Sequence, residues 1–105
     1  MRRQLRFTHE ADAQLRTLRG NLARKGLQKQ VLKALALLEL DTRHPGLHTH
    51  EYQSIVGPQG ERIWEAYAQN DTARAYRIFF RYGPDETLDG KRIAILTILS
   101  ITPHP

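Results

Sequence analysis

The segment AYRIFFRYG, Ala75–Gly83, alternates large apolar side chains with arginines. An extended chain sends successive side chains to opposite faces, so the even-numbered residues 76–82 share one apolar face. Arg77, Phe79 and Arg81 share the other face. The pattern therefore predicts a strand with one face in the core and a second face that carries fixed positive charge.

Two further segments near this strand also have strand patterns. RIWEAYA, residues 62–68, alternates in the same way and places Trp64 toward the core, and QNDT, residues 69–72, predicts the turn that follows it. RIAILTILSIT, residues 92–102, is apolar on both faces, which is typical of an interior strand. We therefore predict three strands in hairpin succession, the last two joined by a longer turn at residues 83–90.

The amino-terminal part of the chain has helical periodicity after a short first strand. RRQLRFT, residues 2–8, alternates loosely, and Thr8 is a residue type that caps helices. Spacings of three and four residues predict a first helix whose apolar face consists of Ala11, Leu15, Leu18 and Leu22. The same spacing predicts a second helix over residues 27–41, with a stripe formed by Leu27, Val31, Ala34, Leu35 and Leu38.

The predicted element order defines the fold class. Residues 42–61 contain repeated Pro and Gly and are predicted to be loop. The order is then β-α-α-β-β-β, which predicts a single α+β domain over residues 1–105. Its two amino-terminal helices pack on one face of a mostly antiparallel sheet, and the opposite face is expected to be open.

Composition narrows the class of partners. The chain has no cysteine and no apolar run long enough to cross a bilayer, so we expect a cytoplasmic protein without a disulfide framework. Its net charge of +5 is uneven, since residues 1–33 have a balance of +7 and residues 34–105 a balance of −2. A basic balance favours polyanions, nucleic acid above all. Lys25, Lys29 and Lys33 are expected on a solvated helix face, with RNA backbone contact as the alternative.

The YRI of the third strand, the WE of the second strand and a histidine just after the last strand resemble, in this order, the RelE/ParE superfamily of bacterial toxins. The resemblance implies a RelE-like fold and the toxin component of a type II toxin-antitoxin system, neutralised by a cognate antitoxin. The superfamily includes ribosome-dependent messenger-RNA endonucleases, which use no metal or cofactor, and also inhibitors of DNA gyrase. A degenerate member retained for antitoxin binding is the third alternative.

The resemblance also implies a set of site residues. Arg77 matches the strand arginine that contacts the scissile phosphate in the ribonuclease branch, His104 lies where those toxins place a catalytic residue, and Glu65 matches a general base. RNA cleavage without a metal needs a base, an acid and fixed positive charge for the transition state. These three residues are therefore the predicted catalytic set, for RNA on the ribosome.

The predicted hairpin turn places other residues near this set. If the turn is centred on Asp71, Glu65 lies directly opposite Arg77 on the open face, and a cross-strand ion pair worth roughly 0.2 to 1 kcal/mol is the alternative to a functional role. Tyr67, Phe79 and Arg81 share this face and are predicted to bind substrate by stacking and by phosphate contact.

Three histidines, His44, His48 and His50, lie close together in the predicted loop. Zinc sites use three or four protein ligands, and without cysteine the fourth ligand would have to come from a distant part of the chain. We therefore expect solvated histidines at these positions and no metal site.

Overall fold

Between residues 2 and 104, the part of the chain that the computed structural model describes, the protein has two helices and seven strands. The helices are α1, His9–Arg19, and α2, Lys25–Leu40, and single 3₁₀ turns occupy Leu22–Arg24 and Pro45–Leu47. The strands are β1 Gln4–Phe7, β2 His50–Val56, β3 Arg62–Tyr67, β4 Tyr76–Tyr82, β5 Glu86–Leu88, β6 Lys91–Ile93 and β7 Ile95–Pro103.

Five strands form one sheet in the order β1-β7-β4-β3-β2, and β5 and β6 form a separate hairpin. β1 and β7 are parallel, and the other neighbours in the large sheet are antiparallel. The α+β class with two helices and a mostly antiparallel sheet is confirmed. The interior position predicted for the last strand is also confirmed, because β7 lies between β1 and β4.

Local sequence determines where both helices begin and end. The side chain of Thr8 accepts a hydrogen bond from the Ala11 N–H, as expected of a capping threonine, and α1 ends at Gly20. The stripe predicted for α2 is buried as expected, and Lys25, Lys29 and Lys33 are exposed. Neither helix is long and apolar enough to cross a membrane.

One residue of the predicted helical stripe was placed wrongly. Leu22 is 76% exposed, because α1 ends at Arg19 and Leu22 begins a separate 3₁₀ turn. The Asn21 side chain caps that turn by accepting a hydrogen bond from the Ala23 N–H. The change of helix type rotates Leu22 away from the face that α1 buries.

The even-numbered face of β4 lies in the core, as its alternation predicts. Ile78 and Phe80 have no exposed surface, and Tyr76 and Tyr82 pack at the border of the same cluster. Both helices contribute to this cluster, and Trp64 of β3 packs against it. The core therefore lies between the helices and one face of the sheet.

Two segments predicted as loops contain strands. β2 occupies part of residues 42–61, where it forms an edge of the sheet and has many exposed side chains on both faces, so it lacks the alternation of a half-buried strand. β5 and β6 form a hairpin within the long turn predicted at residues 83–90 and just after it. Asp89 and Gly90 both have positive φ, and an Asp-Gly pair is a hairpin signal that the loop prediction overlooked.

Candidate functional site

The register of the β3–β4 hairpin differs from the predicted register by two residues. Glu65 lies opposite Phe79 and Tyr67 lies opposite Arg77, so the hairpin is centred on residue 72 rather than on Asp71. The shift preserves the face of every residue because it changes each pairing by two positions. Glu65 and Arg77 are thus diagonal neighbours on the same face, and the predicted direct pairing was wrong.

The face of the sheet opposite the helices is not open where these two residues lie. Glu65 is 3% exposed and Arg77 is 8% exposed. His50 and Tyr52 of the unpredicted strand β2 extend over this face, His50 toward Glu65 and Tyr52 toward Phe79. The missed strand therefore explains why the expectation of an open charged face was wrong at this position.

The Arg77 guanidinium is held by neighbouring groups of the protein. Its Nη1 donates to the carbonyl of Gln69 at 2.7 Å and more weakly to that of Tyr76 at 3.3 Å. Its central carbon lies 3.6 Å from the centre of the Tyr67 ring, within the range of a cation–π interaction. Nε is buried without a hydrogen bond, 3.9 Å from Oε2 of Glu65, which also has none. Arg77 thus supplies a fixed positive charge next to a buried carboxylate.

Glu65 holds the imidazole of His50. Oε1 of Glu65 lies 2.7 Å from Nε2 of His50, and Nδ1 of His50 lies 2.7 Å from the carbonyl oxygen of His48. A carbonyl oxygen only accepts hydrogen bonds, so Nδ1 bears a proton and donates it to His48. The proton between Nε2 and Oε1 belongs to the Glu65–His50 pair, either as imidazolium with carboxylate or as two neutral groups.

His50 is the member of this group that reaches solvent. Its side chain is 46% exposed, compared with 4% for Glu65 and 10% for Arg77. A buried carboxylate that fixes one ring nitrogen of a histidine is the usual arrangement for acid or base chemistry. The other ring nitrogen of His50 donates its proton to the His48 carbonyl. We refer to Glu65, His50 and Arg77 as the buried-carboxylate site.

Tyr67 forms a wall of this site. Its ring contacts the ring of His48 at 5.0 Å between centroids and the ring of His50, edge-on, at 5.9 Å. Because Arg77 also lies against it, Tyr67 contacts two histidines and the guanidinium beside the carboxylate. Its predicted position on the same face as Arg77 is confirmed by their pairing.

Phe79 and Arg81 lie farther along the same face. Phe79 is buried and its ring packs edge-on against Tyr52, so Tyr52 and not Phe79 supplies the accessible aromatic surface. A groove of about 340 Å³ runs along Tyr52 and Phe79 toward Ile63 and Ile55. Arg81 lines the next groove, of about 390 Å³, and lies on the side of Phe79 that faces away from Arg77 along β4.

His104 lies at the edge of this face. Its backbone N–H donates to the carbonyl of Ala75 at 2.8 Å, which extends the β4–β7 pairing by one residue toward the β3–β4 turn. Its ring is exposed and makes no hydrogen bond or ion pair with the described residues. Pro105, which follows it, lies outside the described residues. The structure therefore brings Glu65 and Arg77 together, whereas His104 takes no part in the contact between Glu65 and His50.

The three loop histidines have separate roles. His44 caps a 3₁₀ turn, His48 stacks on Tyr67, and only His50 contacts a carboxylate. No group of three or more potential metal ligands occurs between residues 2 and 104. Sequence reasoning missed His50 as a site residue because its strand was read as loop, although its two-residue spacing from Tyr52 fits one face of a strand.

Comparison of the chain with protein-family models, with curated proteins and with solved structures gives no match. A functional proposal for this protein therefore depends on the geometry of the buried-carboxylate site and on the motifs in its strands. Both include Glu65 of β3 and Arg77 of β4, whereas the motifs add His104 and the geometry adds His50.

Proposed function

We propose that this protein is a RelE/ParE-like toxin of a type II toxin-antitoxin system and cuts messenger RNA on the ribosome without a metal or cofactor. One observation carries the proposal: a half-exposed imidazole, His50, is fixed by a buried carboxylate beside the strand arginine Arg77. The order of the elements and the Tyr-Arg of β4 support the RelE-like fold. A cognate antitoxin in the cytoplasm would be its neutralising partner.

In this mechanism His50 is the general acid. The ribose 2′-hydroxyl gives its proton to solvent water as its oxygen attacks phosphorus, and the 5′-oxygen leaves with the proton from Nδ1 of His50, which gives a 2′,3′-cyclic phosphate and a 5′-hydroxyl. In the structure, Nδ1 of His50 donates this proton in a hydrogen bond to the His48 carbonyl oxygen. The carbonyl oxygen therefore occupies the position that the leaving 5′-oxygen would take. Substrate must therefore displace the His48 carbonyl from Nδ1.

The other two residues of the site act through His50 and through charge. Glu65 is too buried to reach the 2′-hydroxyl, so we assign it to orienting His50 rather than to the role of base. Arg77 stabilises negative charge that develops on the phosphate, because a guanidinium stays ionised and the buried surroundings weaken the screening of its field. Tyr52 and Tyr67 are the aromatic side chains on which bases would stack.

One observation favours a second function. The hydrogen bonds of Arg77 go to backbone carbonyls, and the residue is 8% exposed, so no guanidinium fork is free for bidentate contact with phosphate. This geometry fits a protein that inhibits a target such as DNA gyrase by binding alone, or an inactive relative retained for antitoxin binding. Both alternatives predict that His50 can be replaced without loss of function.

The direct test is cleavage of messenger RNA in a purified translation system. His50→Gln should lower the rate by about 10²- to 10⁴-fold, the usual contribution of a general acid. His9→Gln is the matched control, because His9 is exposed at the start of α1. His104→Gln should resemble the control if His50 is the acid, whereas a large loss there with His50→Gln active would assign the role to His104.

The same preparations distinguish the alternative functions. Messenger RNA that remains intact with wild-type protein, together with inhibited supercoiling by gyrase, would contradict the ribonuclease proposal and support the gyrase target. Intact RNA and active gyrase would indicate the inactive relative. A substrate with 2′-deoxyribose at the cut position should resist cleavage, since it lacks the nucleophile.

A further inference from the structure

A cavity of about 270 Å³ lies between α2 and the turn that precedes β2, outside the buried-carboxylate site. Its floor is apolar and consists of Ala34, Leu37, Leu47 and Ala68. Its rim is polar and consists of Gln30, Lys33, His44, Tyr67 and Asn70. We refer to it as the Lys33 cavity.

The rim of the Lys33 cavity presents hydrogen-bond donors. Nδ1 of His44 accepts from the Gly46 N–H at 3.0 Å, so the proton of the neutral ring lies on Nε2. Oε1 of Gln30 accepts from the Gln69 side chain at 2.9 Å, so the amide NH₂ of Gln30 keeps its donor capacity. Lys33 adds an ammonium with three N–H donors.

The charge of the residues that line the cavity favours the same kind of ligand as their hydrogen-bond donors do. No Asp or Glu is among the described residues that line it, and Lys33 is the lining residue with a permanent charge. A ligand with several acceptor oxygens and negative charge would satisfy Lys33, His44 and Gln30 together. Phosphate has this chemistry, whereas a cation or an uncharged apolar ligand would leave the three donors without partners.

We propose that the Lys33 cavity binds the phosphate of a phosphodiester. The assignment to RNA rests on the proposed function and extends it, because Tyr67 is shared between the two sites. The Tyr67 ring lines the Lys33 cavity and also contacts Arg77 and His50. In this proposal, a strand whose scissile phosphate is at His50 has another of its phosphates at Lys33 and His44, with Tyr67 between them.

The test is an NMR titration of the full chain, first with inorganic phosphate and then with a short 2′-deoxyoligonucleotide, which cannot be cleaved. Both probes should shift the signals of the Lys33 and His44 side chains, and Lys33→Gln should weaken binding about ten- to hundredfold, as expected for the loss of one charge-assisted hydrogen bond. Lys29→Gln is the matched control, since Lys29 is exposed one turn earlier on α2 and does not line the cavity.

Each outcome decides between the alternatives. Shifts at Lys33 and His44 with both probes support a phosphodiester site, and shifts with inorganic phosphate alone indicate a free anion and overturn the RNA assignment. No shifts, or equal losses in Lys33→Gln and Lys29→Gln, overturn the site itself. Because neither probe is cleaved, the result is independent of catalysis: binding at Lys33 with a fully active His50→Gln protein would refute the proposed mechanism and leave this site in place.

Discussion

The contact between Glu65 and Arg77 should couple these residues far more strongly than a surface ion pair. Oε2 and Nε are 3.9 Å apart, and the two side chains are 4% and 10% exposed. Two unit charges at this separation attract each other by about 4 kcal/mol at an effective dielectric constant of about 20. We therefore expect a coupling free energy of about 2 to 4 kcal/mol from a double-mutant cycle.

The cycle consists of Glu65→Gln, Arg77→Met and the double variant, measured by urea unfolding at pH 7 with Trp64 fluorescence as the signal. Each single change leaves a buried group without its partner and should lower the free energy of unfolding by about 3 to 5 kcal/mol. The double variant should lose less than the sum, because it leaves neither charge behind.

The pair formed by Asp12 and Arg16 on α1 is the control. Its atoms are 3.0 Å apart, closer than those of Glu65 and Arg77, but its side chains are 44% and 80% exposed. Solvent screening should limit its coupling to about 0.3 to 0.5 kcal/mol. A coupling of Glu65 with Arg77 below about 1 kcal/mol, the value for an ordinary cross-strand pair, would refute the reasoning from burial.

Three further predictions concern the scaffold. Phe80→Ala should lower the free energy of unfolding by about 3 to 5 kcal/mol, because Phe80 has no exposed surface, while Val56→Ala at the exposed edge should change it by less than about 0.5 kcal/mol in the same denaturation assay. Thr8→Ala should cost about 1 kcal/mol and reduce helical circular dichroism on heating, since it removes the α1 cap. The backbone N–H of Ile95 donates to Asp85 and lowers the pKa of this carboxyl group. The carboxylate therefore stabilises the fold above its unfolded-state pKa, and this contribution is lost as the pH falls through its folded-state pKa. In Asp85→Asn, a plot of melting temperature against pH should be flatter on the acid side than in the wild type.

The strands near the centre of the sheet could be predicted because burial imposes a period on them. β4 alternates between core and opposite face, and β7 has a long apolar run and lies between two paired strands. β2 has no such constraint, since it lies at an edge and only its pairing with β3 holds it extended. An edge strand with two exposed faces cannot be distinguished from a loop by periodicity.

The candidate site shows a similar division between what local pattern predicts and what it does not. The alternation of side chains along the strands predicted that Glu65, Tyr67 and Arg77 lie on one face, and that placement is confirmed. Their register depended on the turn, where Asp71 and Arg74 adopt positive φ. Asp is a residue type that favours positive φ, but Arg is not. His50 entered the site only through the pairing of β2 with β3, which brings it opposite Glu65.

By itself, the sequence determined the two helices, the alternation of β3 and β4 and the basic character of the amino-terminal third, because each of these depends on residues a few positions apart. Only the tertiary structure decided that Glu65 and Arg77 are buried, that His50 contacts Glu65, and that His104 takes no part in that contact. Those outcomes depend on contacts between distant segments. The physical reason is that burial and hydrogen bonding at the site are set by how β2 closes over β3, and no local pattern encodes that closure.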